Sequence, residues 1–297
     1  MSTVKRPSKF DDIIGQSEVI SRLKINISGA KAGNSTLDHV LLDGPPGLGK
    51  TTIAQAIASE LDQNLYIANA ANIRNIKKIL PYLEGIAPRS VLFIDEIHRL
   101  PKLVEEFLYP VMEDFQINFV NDGVVESIDI PRFTLVGATT SGGSLSQPFY
   151  DRFLIKEHLY FYSDDELAKL AGLNAQKLGL MIAESDLLEI AKRSKGTPRI
   201  LNSRLAWYKN YLIYHNKKKV DIHEVFSEQG IDENGFDKND RLYIDLLKKH
   251  KNNPLGIKAI SSVTGLSMET IENNIEPFLV RKGYVIRTQK GRILSNV

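Results

Sequence analysis

Gly44, Gly49, Lys50 and Thr51 fill the fixed positions of G-x-x-x-x-G-K-[ST] within the run Gly44-Pro45-Pro46-Gly47-Leu48-Gly49-Lys50-Thr51-Thr52. The chemistry these residue types serve is phosphate binding. Glycines let backbone N–H groups close around a β-phosphate, where a Cβ would obstruct the ligand. A helix N-terminus behind the loop adds roughly half a positive charge facing the anion. The Lys50 ammonium reaches the β/γ-phosphates, and the Thr51 hydroxyl is a ligand for Mg²⁺. Further along, Asp95 and Glu96 end the apolar run Val91-Leu92-Phe93-Ile94. There Asp95 can hold Mg²⁺ through water, and Glu96 can orient or deprotonate an attacking water. His98, nearby, fits a packed histidine better than a base.

These groups need elements to aim them. Val40-Leu41-Leu42 leads into the glycine loop as a buried parallel strand, and Ile53 to Leu61 follows it at helical spacing. A parallel strand delivers the residues at its carboxyl end to the ligand crevice, which is where Asp95 and Glu96 fall. Asn64–Ala68 reads as a second strand, Ile73–Leu83 as a helix and Glu105–Asp114 as another. Phe133–Thr140 is a further buried strand ending in two hydroxyls, Thr139 and Thr140, either of which can hydrogen-bond a γ-phosphate or the lytic water. The alternating runs Phe115–Val120 and Val124–Ile130 flank Asn121-Asp122-Gly123, which predicts a β-hairpin. A leading arm, Arg6-Pro7, and one helix through Val19, Leu23 and Ile27 precede the first strand. Strands alternating with helices predict an α/β fold with a parallel sheet.

The remainder changes character. Arg152, in Asp151-Arg152-Phe153 after the Gly/Ser-rich stretch 141–148, fits two roles on spacing alone: an arginine finger, and the commoner surface ion-pair partner. From Ser163 the chain reads as a small all-helical domain, with a capped start at Asp164-Asp165-Glu166-Leu167, a helix at Leu188–Arg193 and a third opened by Gly196-Thr197-Pro198-Arg199-Ile200. Arg199 either bends back to a γ-phosphate or is simply exposed. A polar linker around Asp232–Asp237 leads to a helix at Arg241–Lys249, then helix–glycine turn–helix (Ile257–Gly265, Ser267–Glu272), then two short strands around a basic turn. That is the layout of a winged helix. From Arg281 to Val297 there are five basic residues and no acidic ones, the electrostatic footprint of phosphate-backbone binding.

Bulk properties narrow the class. With 297 residues, 42% hydrophobic and 25% charged, the chain has the composition of a soluble protein of two or three domains. It has no run of eighteen apolar residues to span a membrane and no apolar signal-peptide core near Met1. Zero cysteines rule out disulfides and thiolate chemistry and fit a cytoplasmic location. The net charge of +2 says little, because the distribution of charge decides what it attracts.

Assembled, these residues resemble the RuvB family, the AAA+ ATPases that drive Holliday-junction branch migration in bacteria. The resemblance covers almost the whole chain. It rests on Leu37–Leu42 with the glycine loop, Phe93-Ile94-Asp95-Glu96-Ile97-His98-Arg99-Leu100, Tyr109-Pro110-Val111-Met112-Glu113-Asp114-Phe115, Phe133–Thr140, Asp151-Arg152-Phe153, Gly196-Thr197-Pro198-Arg199-Ile200, and Arg287-Thr288 with Gly291-Arg292. It implies an AAA+ large domain (1–161, with the hairpin at 116–130), an all-α lid (162–233) and a winged-helix DNA-binding domain (234–297). It implies an ATP/ADP site with Mg²⁺, contacted by Arg6, Ile14, Gly44, Pro45, Gly47, Leu48, Gly49, Lys50, Thr51, Thr52, Tyr162, Pro198 and Arg199, the metal being held by Thr51 and Asp95. Arg6-Pro7, Ile14 and Tyr162 match the adenine pocket, Thr140 (less well Thr139) matches sensor 1, Arg152 the arginine finger reaching the next subunit, and Arg199 sensor 2. Catalysis would fall to Lys50, Asp95, Glu96, Thr140, Arg152 and Arg199, and DNA contact to Arg287, Lys290 and Arg292. The implied assembly is a hexameric ring around duplex DNA at a four-way junction, with a RuvA-like partner.

The chain departs from the family pattern at its coupling surfaces. The hairpin is short and lacks the usual basic residues, so the RuvA-like contact has no direct support there. Tyr150 stands where the family usually has Arg, Ser141-Gly142 replaces a usual Arg-Ala, and the loop at Ala70-Ala71-Asn72 has lost a Gly-Pro pair. The expected function is ATP-dependent DNA branch migration; a clamp-loader-like or replication-loading ATPase shares the same core.

Overall fold

The computed structural model describes residues 6–121, 124–140, 142–250 and 253–295. Two of the three residues expected at the hairpin turn, Asp122 and Gly123, and the divergent Ser141 lie outside that set. The described residues fall into two compact units, one within Lys5–Gly44 and Leu48–Tyr160, the other comprising Pro45–Gly47 and the chain from Phe161 onward.

The first unit runs α1 (Ser17–Ala32), β1 (Val40–Asp43), α2 (Lys50–Leu61), β2 (Leu65–Asn69), α3 (Ile76–Glu84), β3 (Val91–Asp95), α4 (Lys102–Glu113), β4 (Gln116–Asn121), β5 (Val124–Asp129), β6 (Thr134–Thr139), α5 (Gln147–Asp151) and β7 (Ile155–His158). Among the described residues five parallel strands make one sheet in the order β2-β3-β6-β1-β7. Crossing from β1 out to β2 and back through β6 sets the carboxyl ends of β1, β6 and β3 side by side. Asp43 registers with Thr139, and Ile94 with Gly137. Every residue of β6 is buried, as an interior strand covered on both faces must be. One face packs Leu41, Leu92, Ile94 and Leu135 against Ile79, Leu83, Val104, Leu108 and Val111 from α3 and α4. Each such side chain removed from water contributes about 1.5–3 kcal/mol.

Three elements differ from expectation for local reasons. β2 reaches Asn69, whose side-chain oxygen accepts from the Ala71 N–H at 2.8 Å, so a 3-10 turn at Ala70–Asn72 delays α3 to Ile76. β7 was not foreseen, because Ile155-Lys156-Glu157-His158 is mostly charged. It is held at the sheet edge by pairing with β1, with Glu157 taking a bidentate ion pair from Arg22 (2.9 and 2.6 Å). α4 starts at Lys102, ahead of the expected Glu105, directly after Pro101.

The second unit begins with α6 (Asp164–Lys177), α7 (Glu184–Lys192), α8 (Pro198–Tyr214) and α9 (Ile222–Gln229). Ser163 and Glu166 cap α6 reciprocally at 3.1 and 2.8 Å. α9 is an additional helix beyond those the sequence predicts. The chain continues through α10 (Lys238–Lys249), α11 (Ile257–Thr264), α12 (Met268–Thr270), α13 (Glu276–Arg281), β8 (Val285–Thr288) and β9 (Gly291–Leu294). A π-helical turn at Ile271–Ile275 joins α12 to α13, so the helix expected to stop near Glu272 runs on to Arg281. Pro277 has no N–H to donate back to the preceding turn, and the wider turn absorbs that loss. Phe236, Tyr243, Leu247, Ile260, Ile271, Phe278, Leu279 and Val285 form the core of this winged helix. No helix among the described residues is long and apolar enough to cross a membrane.

Candidate active site

The glycine loop joins β1 to α2. Gly44 takes φ 139°, and a Cβ there would fall 2.7 Å from the Leu159 carbonyl, so no other residue fits. Gly49, at φ 103°, is the N-cap of α2 and leaves the first N–H groups of the helix without side-chain caps. Lys50, 9% exposed, folds back so that Nζ donates to the Gly44 carbonyl at 2.5 Å. Leu48 is buried, while Pro45, Gly47, Thr51 and Thr52 are half-buried along the loop.

Beside it, Asp95 ends β3 and its Oδ1 accepts from the Glu96 N–H at 3.0 Å. Glu96 sits in the left-handed region at φ 52°, which turns its side chain away from the strand direction, and it pairs with Arg99 at 2.9 Å. Of the two threonines ending β6, Thr139 is 1% exposed and its hydroxyl bonds His98 Nδ1 at 3.0 Å, while Thr140 is half-buried one step farther out. Burial pushes the His98 pKa down, with Lys50 and Arg99 adding to that against Glu96 and Asp95. A neutral His98 buttressing Thr139 agrees with the packed role read from the sequence.

Arg152 caps the end of α5 with its side chain 18% exposed. It donates to the Pro148 carbonyl (2.6 Å) and Glu113 (3.0 Å), and its guanidinium lies 4.1 Å over the Tyr109 ring. Its Nε is buried without a hydrogen-bond partner. Tyr109 in turn touches Ser146 (3.1 Å), whose hydroxyl donates to Glu105 (2.7 Å), so α4 sets the attitude of α5. A cleft of about 1150 Å³ opens along this face, lined by Ile25, Asp38, His39, Glu113, Arg132 and Arg152 among others. The part that Glu113 and Tyr109 play was not legible beforehand. Their helical spacing from one another, four residues, was the available signal.

In the helical unit Tyr162 is buried and its N–H donates to the Gly196 carbonyl at 3.0 Å. Pro198 opens α8, and the Arg199 N–H lies 3.4 Å from the carbonyl of Gly47, which belongs to this unit. The Arg199 side chain is exposed. Arg6 and Ile14 belong to the first unit, exposed and half-buried respectively.

At the wing the basic surface is smaller than the sequence count suggested. Arg287 and Arg292 both pair with Glu276 of α13, at 2.6 and 2.8 Å, and Arg292 also with Glu272 at 3.2 Å. Glu276 has no exposed surface, and Arg292 keeps 16% of its side chain in solvent. Lys290, at the turn, is exposed. Both glutamates precede Arg281 in the chain, so the segment 281–297 is basic in sequence while its arginines are paired in the fold.

Among the described residues no three His, Cys, Asp or Glu side chains gather as a metal cluster. An ion held by one carboxylate, one hydroxyl and substrate phosphates needs none, so Thr51 and Asp95 remain a chemically suitable pair for Mg²⁺.

Sequence profiles described as the Holliday junction DNA helicase RuvB P-loop domain, the RuvB AAA lid domain and the RuvB C-terminal winged helix domain match residues 5–159, 162–232 and 233–297. The Holliday junction branch migration complex subunit RuvB of Rhodopirellula baltica is 42% identical over 298 residues, covering 98% of this chain and 81% of that protein. The protein of the same description from Helicobacter pylori is 42% identical, covering 98% and 88%. The solved Thermotoga maritima RuvB Holliday junction branch migration motor superposes with a TM-score of 0.90 at 37% identity, covering 98% of this chain and 95% of that one.

Proposed function

The chain belongs to the RuvB family, and from that premise we propose that it is the ATPase subunit of a motor that branch-migrates Holliday junctions in recombination and repair. The observation that carries this reading is the alignment of three strand ends: the loop with Lys50 and Thr51 after β1, Asp95 closing β3, and Thr140 after β6 between them. That arrangement supports MgATP hydrolysis. Lys50 and the loop N–H groups hold the phosphates, Gly44, Pro45, Gly47, Leu48, Gly49 and Thr52 shape the cradle, and Thr51 and Asp95 would hold Mg²⁺. The ion, when bound, neutralises charge developing on the β- and γ-oxygens. Glu96 orients the lytic water once it leaves Arg99, and Thr140 holds that water's position. Arg6, Ile14, Tyr162 and Pro198 are assigned to the adenine end, and Arg199 to sensing the γ-phosphate.

Arg152 is assigned to the neighbouring subunit's site. Its position on an open cleft supports a role completed by another molecule. A finger needs a ring, and a hexamer in the cytoplasm around duplex DNA is the assembly we assign. Domain roles follow the borders 1–161, 162–233 and 234–297. Lys290 and the outer edge of Arg287 would meet DNA phosphates, with Arg292 bracing the wing.

The RuvA-like partner is assigned to the hairpin β4–β5 on different chemistry from the family's usual basic residues. Cross-strand register puts Ile117, Phe119, Val124 and Ile128 on one face together with Glu126, which stands opposite Phe119, and Phe119, Val124 and Ile128 are 37%, 62% and 54% exposed. That face carries apolar side chains and one carboxylate where the family usually has basic residues.

The deciding experiment is ATP turnover by the purified chain with four-way junction DNA, with and without a RuvA-like protein from the same source. Stimulation together with strand-exchange products is the expected result. Turnover indifferent to both, but stimulated by a sliding clamp, would move the chain to the clamp-loader reading.

A further inference from the structure

The span Lys195–Arg199 links two things that a motor must keep in step. At its far end is Arg199, whose backbone meets the tip of the glycine loop. At its near end Lys195, with 5% of its side chain exposed, is buried in an ion cluster with the winged helix. Its ammonium donates to Asp240, which has no exposed surface, and to Asp237 at 3.1 Å.

Those two aspartates are the capping box of α10. Asp237 Oδ1 accepts from the N–H groups of Asn239 (2.8 Å) and Asp240 (3.1 Å), and Asp240 Oδ2 accepts from the Asp237 N–H (2.8 Å). Lys195 therefore grips the first turn of the winged helix's first helix. The next residue adds a second grip. Gly196 stands at φ 73°, and a Cβ on it would fall 2.5 Å from the Arg281 guanidinium at the end of α13. Arg281 also lies 4.3 Å over the Phe161 ring, just ahead of Tyr162. Arg193, two residues earlier, donates to the carbonyl of Asp232, at the end of the lid segment that leads into the winged helix, at 3.1 Å.

Stability alone is a poor account of this cluster. Replacing a buried ion pair by apolar groups of similar size is often neutral or favourable. Here the network is also incomplete: Asp240 Oδ1 and the buried Arg204 Nε on α8 have no hydrogen-bond partner. Each such group carries the desolvation cost of a buried polar atom left unpaired. What an ion cluster provides that an apolar contact does not is a single geometry, set by directional bonds.

We propose that the Lys195–Asp237–Asp240 cluster makes the Arg199 segment and the winged helix move as one body, so that Lys195 and Asp240 are positioning residues through which nucleotide state reaches the DNA-binding wing. The DNA readout rests on the motor reading given above; the mechanical link does not.

The test uses the full chain. Lys195→Met with Asp240→Asn removes the pair's opposite charges together and keeps an acceptor for the Asp237 N–H. The double variant should bind ATP and duplex DNA as the parent does and hydrolyse ATP without DNA at the parent rate. The stimulation by DNA should fall tenfold or more. Lys195→Arg should retain it, since the donor and charge survive. Parent-like stimulation in the double variant overturns the proposal. Should that variant fail to fold, hydrogen exchange on the parent decides. A non-hydrolysable ATP analogue should slow exchange in 195–199 and in α10 together, and an α10 indifferent to nucleotide would overturn the link. If the parent itself ignores DNA, the motor reading fails while the exchange experiment still tests the coupling.

Discussion

Arg292 donates through Nε to Glu276, 2.8 Å away, a carboxylate that solvent does not reach. This pairing divides the wing's cations by role. Removing Arg292 leaves a buried charge half-compensated, so Arg292→Ala should destabilise the winged helix by about 3–5 kcal/mol. Lys290→Ala should leave the melting temperature alone, weaken DNA binding uniformly across sequences and lower the salt slope by about 1. Titrations of duplex DNA at several salt concentrations separate the two. A Lys290 variant with an unchanged slope would move the wing to protein docking.

Arg152 is latched to Glu113 and stacked on Tyr109. Arg152→Ala should spare ATP binding and reduce hydrolysis by about 10³–10⁵, whereas Lys50→Ala should lose both. Glu113→Gln keeps the hydrogen bond and should have a far smaller effect on hydrolysis than Arg152→Ala. Equilibrium nucleotide binding alongside single-turnover hydrolysis checks all three. Loss of ATP binding in Arg152→Ala would place that residue outside the finger role.

His39 is a pH-sensitive part of the core. Its Nε2 donates to the Met112 carbonyl (3.0 Å) and its Nδ1 accepts from the Leu135 N–H (2.9 Å), which fixes the neutral ring. Burial holds its pKa below the ordinary 6.5, outweighing the Met112 carbonyl and Asp38. The unfolded chain therefore binds a proton that the native ring refuses. Stability from this site is present above pH 6.5 and lost as pH falls below it, at a slope of up to about 1.4 kcal/mol per pH unit. Denaturant unfolding between pH 5 and 7.5 should show that slope, and His39→Gln should flatten it.

The apolar residues on the Phe119 face of the hairpin predict a contact. Ile128→Asp removes an exposed apolar side chain from the Phe119 face and adds a second carboxylate beside Glu126, while sitting far from the β1–β3–β6 strand ends in the chain. Basal ATP turnover should hold, and stimulation by a RuvA-like protein should fall at least tenfold. Stimulation that survives the substitution would free the hairpin from that role.

Much of the protein is written locally. The glycine loop, the apolar strands ending in Asp95 and in Thr139-Thr140, the Ser163 cap and the helix–turn–helix with its wing are short-range patterns, because phosphate cradles, strand burial and helix caps are each made by residues within a few positions of one another. The α/β domain, helical lid and winged helix were readable on that basis. Tertiary structure decided what depends on residues distant in the chain. Glu276 and Glu272 neutralise arginines that looked free, and Glu113 orients Arg152. Arg22 holds a strand too charged to recognise, and Lys195 reaches across to Asp240. Charge pairing of this kind has no period and no fixed spacing, so only folding brings the partners together.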